Sequence, residues 1–288
     1  MLKKLLKYDF KSMSKMMWSI NLGILVLSVL ASVMFSVNMR VSGHRVAQSS
    51  VFSQILNIVT ILFTVFAVLA ISVASMAVII LLAYRFYKNF FDNEGYLTFT
   101  LPVSTNAKLL SKIITSSVWL LVSFLSMIIA LGIFLLFGTA TEGFINTGTL
   151  DALIKIIPEL WHYVDANILC LLLEGILVAL VSVLFNMLLV FLAITIGSIL
   201  SSKHKIIASV GMYFVINMAV SIIQTILVFA STIFFDQQFD MFGANITFTE
   251  GSAFIHFTLI SQLVLMAVFC VISYIIIHRI LERKLNLP

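Results

Sequence analysis

The constraint that most narrows the fold of this chain is the placement of its charges, which leave six long runs free of Asp, Glu, Lys and Arg apart from their margins: 16–39, 46–84, 113–141, 175–202, 206–235 and 251–278. A helix rising 1.5 Å per residue needs about twenty apolar residues to cross ~30 Å of hydrocarbon, and each run reaches that length. The second run exceeds it, so its span is expected near 57–84, with 40–56 as an outer loop and lead-in. Backbone polar groups in lipid must be satisfied within the segment, which selects helices. The reading is an all-α integral membrane protein with six transmembrane helices. Composition agrees: of 288 residues 61% are hydrophobic and 10% charged, with a mean hydropathy of +1.16, outside the range of soluble domains. Pro102, Pro158 and Pro288 all fall between or after the runs, so straight spans are expected.

Orientation follows from Lys and Arg. With the N-terminus inside, one side collects Lys3, Lys4, Lys7, Lys11, Lys15, Arg85, Lys88, Lys108, Lys112, Lys203, Lys205, Arg279, Arg283 and Lys284, and the other keeps Arg40, Arg45 and Lys155. That fourteen-to-three split of the 17 basic residues predicts cytoplasmic N- and C-termini. The basic pI of about 9.2 then reflects topology, and nucleic acid is not an expected partner. Residues 1–17 place Leu2, Leu5, Leu6, Asp9, Met13 and Met16 on one stripe and Lys4, Lys7, Lys11 and Lys15 on another. This pattern predicts an amphipathic helix on the inner leaflet, with membrane lipids as its partner. The following apolar run is too long for a cleaved signal and lacks an A-x-A site. Residues 139–165 form the largest outer loop, with Trp161 and Tyr163 at headgroup level. No loop is large enough for a second domain, so 1–288 reads as one membrane domain.

The chain carries no G-x-x-x-x-G-K-[ST], H-E-x-x-H, C-x-x-C or G-x-S-x-G. It therefore has neither a P-loop nor a recognisable catalytic constellation, and no cofactor or metal is expected in it. Cys170 and Cys270 are expected at different depths, which argues against a disulfide. His44, His162, His204, His256 and His278 are expected at or near membrane boundaries. Glu174 is the one acid close to a span. Counting about twenty residues back from Ser202 places the hydrocarbon boundary near 180, so Glu174 is expected at the outer headgroup level, with a role at a substrate exit as the functional alternative.

One stretch departs from the pattern. In YRFYKNFFDNEGYLTFTLPVSTNAKLLSK, residues 84–112, Phe86, Tyr87, Phe90 and Phe91 recur at helical spacing, with Lys88, Asn89, Asp92 and Asn93 on the other face. Gly95 permits a turn, Pro102 stops what precedes it, and Ser104 or Thr105 suits the N-cap of the third span. The predicted layout is helix, elbow, short apolar-faced element, elbow, helix on the cytoplasmic side.

At these residues the sequence resembles the membrane subunits of ABC-2 type ABC transporters, in the compact six-helix form common in Firmicutes. That family's loop between helices two and three reads as an acid, a glycine, an apolar pair, then P-V-S and a later lysine. Here it is Glu94-Gly95-Tyr96-Leu97, Leu101-Pro102-Val103-Ser104 and Lys112. The segments SSKHKIIASVGMYFVIN, 201–217, and ERKLNLP, 282–288, add to the likeness. The usual acidic-basic run before the glycine is replaced by Asp92-Asn93-Glu94. The resemblance implies an export permease of a bacterial cell membrane that pairs with a second permease subunit and sits on separate ABC ATPase subunits holding ATP and magnesium. It assigns residues 85–112 as the cytoplasmic coupling loop, with Glu94, Gly95, Tyr96, Leu97, Phe99, Leu101, Pro102 and Ser104 at the ATPase contact, and excludes a large outer domain. An ion-coupled secondary transporter or channel is the alternative, although such proteins usually carry more ionisable groups within their spans than Glu174 alone.

Overall fold

In the computed structural model the described residues are 2–43, 51–92, 95, 100, 103–138, 166–201, 203–239 and 248–283. They form six long helices: α1 (Leu2–Gly43), α2 (Val51–Phe91), α3 (Thr105–Gly138), α4 (Ala166–Leu200), α5 (Lys205–Phe239) and α6 (Phe248–Arg283). Each contains a segment long and apolar enough to cross a membrane. By helix length and composition this is a multi-pass membrane protein.

The helices run past the charge-free runs that announce them. The α1 helix continues unbroken from Leu2 to Gly43, with no break between residues 2–15 and the apolar run that follows. The α2 helix begins at Val51, ahead of the span expected from about 57, and α4 begins at Ala166, nine residues ahead of the charge-free run 175–202. The physical reason is that hydropathy ends at the edge of the lipid, whereas backbone hydrogen bonding stops only where the chain loses helical dihedrals. Lys, Glu and Leu are all good helix formers, so nothing in 2–15 or 166–174 forces a break. The loop 139–165 lies outside the described residues.

The described chain divides into two compact units, which cut across the helices. One holds α1 beyond Leu6, α2 as far as Leu82 and α3 from Val118. Within it α1 and α3 run parallel: Phe10 and Trp18 meet the Trp119 ring at 6.3 and 6.4 Å, and Phe35 meets Phe134 at 5.6 Å. Residues Met17, Asn21, Ile24, Ser28 and Ala31 are buried on α1 at alternating spacings of four and three, as are Trp119, Ser123, Ser126 and Ala130 on α3. That spacing is the signature of helices meeting along a narrow seam, and the small residues let the backbones approach. Ser126 Oγ donates to Asn21 Oδ1 across it at 2.8 Å, while Asn21 Nδ2 donates to the Met17 carbonyl.

The other unit joins residues 2–6 and 83–117 to α4, α5 and α6. Its tightest point is the α4–α5 hairpin. A methyl built on Gly197 would fall 2.5 Å from the Ser209 backbone nitrogen and 2.7 Å from its hydroxyl, so only glycine fits there. Further along, Phe185 and Leu189 of α4 bury against Val220 of α5, with Met266, Phe269 and Cys270 of α6 packed on them. Cys170 and Cys270 are both free thiols.

Candidate functional site

Two features of the α4–α6 unit hold side chains that packing alone does not require. The first is the pair of helix ends that frame residues 92–104. At the end of α2, Phe86, Phe90 and Phe91 are buried, and the Phe86 ring stacks on Phe191 of α4 with centroids 4.0 Å apart and planes 8° from parallel. Lys205 Nζ, at the start of α5, reaches the Phe91 carbonyl at 3.5 Å. A cation at a helix C-terminus satisfies an orphan carbonyl and complements the helix dipole. On the other side of the interruption, Ser104 occupies the N-cap of α3, its carbonyl accepting from the Ala107 and Lys108 amides at 3.0 and 3.2 Å. Asn106 Oδ1, in the first turn of α3, accepts from Tyr274 Oη of α6 at 3.1 Å. The interruption is thus tied on one side to α4 and α5 and on the other to α6.

Both ends also leave the apolar surface behind. On α2 the exposed apolar side chains end at Tyr84, and on α3 they resume at Leu110; among the described residues between them no large apolar side chain is exposed. From Tyr84 to Phe91 a helix rises about 10 Å, and past Tyr84 that rise exposes no large apolar side chain. Gly95 is helical and buried, and its amide donates to the Asp92 carbonyl at 2.7 Å, closing the turn that the sequence placed there. Glu94, Tyr96, Leu97, Phe99, Leu101 and Pro102 of the expected contact set lie outside the described residues.

The second feature is at the opposite ends of α4 and α6. Glu174 Oε2 and His256 Nδ1 are 2.9 Å apart, each side chain 23% exposed. A carboxylate partner selects the tautomer with hydrogen on Nδ1, so the imidazole donates and the carboxylate accepts. Sequence reasoning singled out Glu174 but not its partner. In the sequence the charge-free runs begin at 175 and 251, which sets Glu174 one residue ahead of its run and His256 five residues past the start of its own, so no register in the sequence pairs them. On α6 the exposed apolar side chains run from Ile255 to Ile275, a rise of ~30 Å, equal to the hydrocarbon thickness. On α4 the exposed apolar side chains begin earlier relative to the pair, at Leu169, five residues before Glu174.

Elsewhere the surface offers little chemistry. A shallow groove of 420 Å³ between α5 and α6 is lined by Leu227, Phe257, Val264 and neighbouring apolar groups with only Ser261 polar. Among the described residues no three His, Cys, Asp or Glu side chains stand together as a metal site would require. Compared with family models, curated proteins and solved structures, the chain matches none.

Proposed function

We propose that the chain is the permease subunit of an ABC-2 type exporter, acting as a pair of permeases in a bacterial cell membrane above separate ATPase subunits. Residues 92–104 are the element through which the ATPase moves it. The observation that carries this reading is the anchoring of that interruption: Phe86 stacks on α4, Lys205 of α5 holds the Phe91 carbonyl, and Asn106 is held by Tyr274 of α6. A loop serving only to reverse the chain needs no such fastening. An element that delivers force does, because a displacement at 92–104 must pass into the helices and not be absorbed by the loop. The polar break and the ~10 Å of helix past Tyr84 on α2 suit contact with a soluble protein. The chain has no P-loop of its own, so the energy comes from the partner.

The test uses Leu97→Asp and Phe99→Asp, each of which sets an unpaired charge into the contact. Either variant is expected to insert normally, yet to lose the co-purifying ATPase or to hydrolyse ATP without transport. Retention of assembly, coupled hydrolysis and transport by both variants would overturn the assignment. The Glu174–His256 pair favours a second reading, an ion-coupled carrier, since ionisable partners in membrane helices often mark ion paths. That reading requires gradient-driven flux in vesicles containing this chain and no ATPase, and the permease reading requires its absence.

A further inference from the structure

The α4 helix is held very unevenly along its length. Every buried residue in it lies between Val183 and Gly197. None of residues 166–182 is buried, and Leu169, Leu172, Leu173, Ile176 and Leu177 are exposed. Gly175 stands in this bare part, and a methyl group built on it would meet nothing within 4 Å. Gly197 is glycine because Ser209 leaves no room; Gly175 has no such reason. Glycine inside a helix weakens it relative to alanine through backbone entropy. The facing part of α6 also has no buried residue from Ala253 to Ile272, but rings join it to α5: Phe235 meets Phe254 and Phe257 at 5.5 Å, and Phe234 meets Phe257 at 6.5 Å. Between the bare part of α4 and this secured part of α6 stands the 2.9 Å contact of Glu174 with His256.

We propose that residues 166–182 of α4 form a movable arm, opening away from α6 and latched shut by the Glu174–His256 pair. The arm is placed on α4 because α6 has ring contacts with α5 at this level, whereas residues 166–182 carry no aromatic side chain. A carboxylate parted from its donor among apolar groups is strongly disfavoured, so the open arm requires water or a polar solute in place of the imidazole. Opening therefore admits water or a polar solute between α4 and α6, and the two groups first uncovered are an anion and an imidazole. A polar or cationic group in transit would meet them there. The inference concerns the motion of α4 and holds whether an ATPase or an ion gradient drives it.

The experiment measures distances between spin labels on the full chain in lipid nanodiscs, with Cys170 and Cys270 replaced by Ser and Ala. Labels at the exposed positions Leu172 and Ile255 report the arm, and labels at Ile199 and Ile275 report the packed ends of the same two helices. From Val183 to Leu172 is ~16 Å, so a tilt of ~20°, the size of an ordinary helix kink, moves the label about 6 Å. Glu174→Leu is expected to add a component about that much longer to the Leu172–Ile255 distances, with the Ile199–Ile275 distances unchanged. The exchange Glu174→His with His256→Glu is expected to restore the single short population, which a merely steric effect of substitution would not do. Gly175→Ala, placed in the Glu174→Leu background, is expected to reduce the long component. An unchanged Leu172–Ile255 distribution in Glu174→Leu overturns the latch, and equal change in both label pairs overturns the arm by showing general loosening.

Discussion

Replacing Gly197 by alanine tests whether the α4–α5 hairpin is as tight as it looks. The added methyl would lie 2.5 Å from the Ser209 nitrogen and 2.7 Å from its hydroxyl oxygen, where carbon normally keeps about 3.5–4.0 Å. Rotating the Ser209 side chain relieves only the second contact, since the first is backbone. The helices must therefore separate by roughly 1 Å, enough to forfeit a quarter to a half of the dispersion at each facing pair. Ser209 Oγ would also draw away from the Ile194 carbonyl, already 3.4 Å distant, while keeping its bond to the Lys205 carbonyl at 2.7 Å. Overpacking of this kind costs about 1–3 kcal/mol, and backbone resistance places Gly197→Ala near the top of that range, on the order of a hundredfold in the folded ratio. Gly211, on α5 itself, provides the control. Nothing lies within 4 Å of a methyl there, so Gly211→Ala should gain up to about 1 kcal/mol from helix propensity. The assay is reversible unfolding by SDS in mixed micelles, followed by tryptophan fluorescence. Opposite shifts of midpoint for the two variants are required; equal stability of Gly197→Ala and Gly211→Ala would refute the reasoning.

Removing the ring in Phe86→Ala deletes the stack on Phe191 from a site 1% exposed and is expected to cost about 3–5 kcal/mol, read from the same SDS midpoints. Asn21→Ala takes away the acceptor of the Ser126 hydroxyl and is expected to cost about 0.6–2 kcal/mol in a double-mutant cycle with Ser126→Ala; a coupling of zero would mean that the bond contributes nothing to the seam. For topology, a single cysteine at Lys203 should resist an impermeant maleimide in intact cells and one at Ala166 should react, and labelling of the Lys203 site from outside would invert the map.

Much of the fold was legible because a lipid solvent is a severe constraint. Six charge-free runs of sufficient length admit few arrangements other than six helices, and the described residues form six. The ends were not legible, for a reason visible in α1 and α4. Counting twenty residues locates where lipid stops, but Leu2–Gly43 and Ala166–Leu200 run on because Lys, Glu and Leu sustain a helix equally well outside it. The partition of the packing was hidden for a different reason. Whether a Phe or Leu in a span faces lipid or protein cannot be read from hydropathy when both environments are apolar. Small residues three apart, such as Ser28 and Ala31 or Ser123 and Ser126, were a local signal of the α1–α3 seam.

The same limit explains what could be read of the candidate sites. Residues 84–112 stood out because polarity, glycine and proline interrupt an apolar chain, so the element was found by contrast. Its fastening was not found: the partners Phe191, Lys205 and Tyr274 lie far off in sequence and each looks ordinary in its own helix. Glu174 stood out for the same reason as the break, being an acid near a span, whereas His256 was submerged among five histidines at helix ends. The 2.9 Å contact with Glu174 is what sets His256 apart, and it is a property of the folded chain. The bare stretch of α4 around Glu174 needed the structure, because leucines there look no different from leucines in the packed part. That contrast between identical residues in unlike surroundings is what turns a lone acid into one side of a latch: Val183–Gly197 fixes one end of the helix to its neighbours, and the rest is held only as firmly as the groups it reaches.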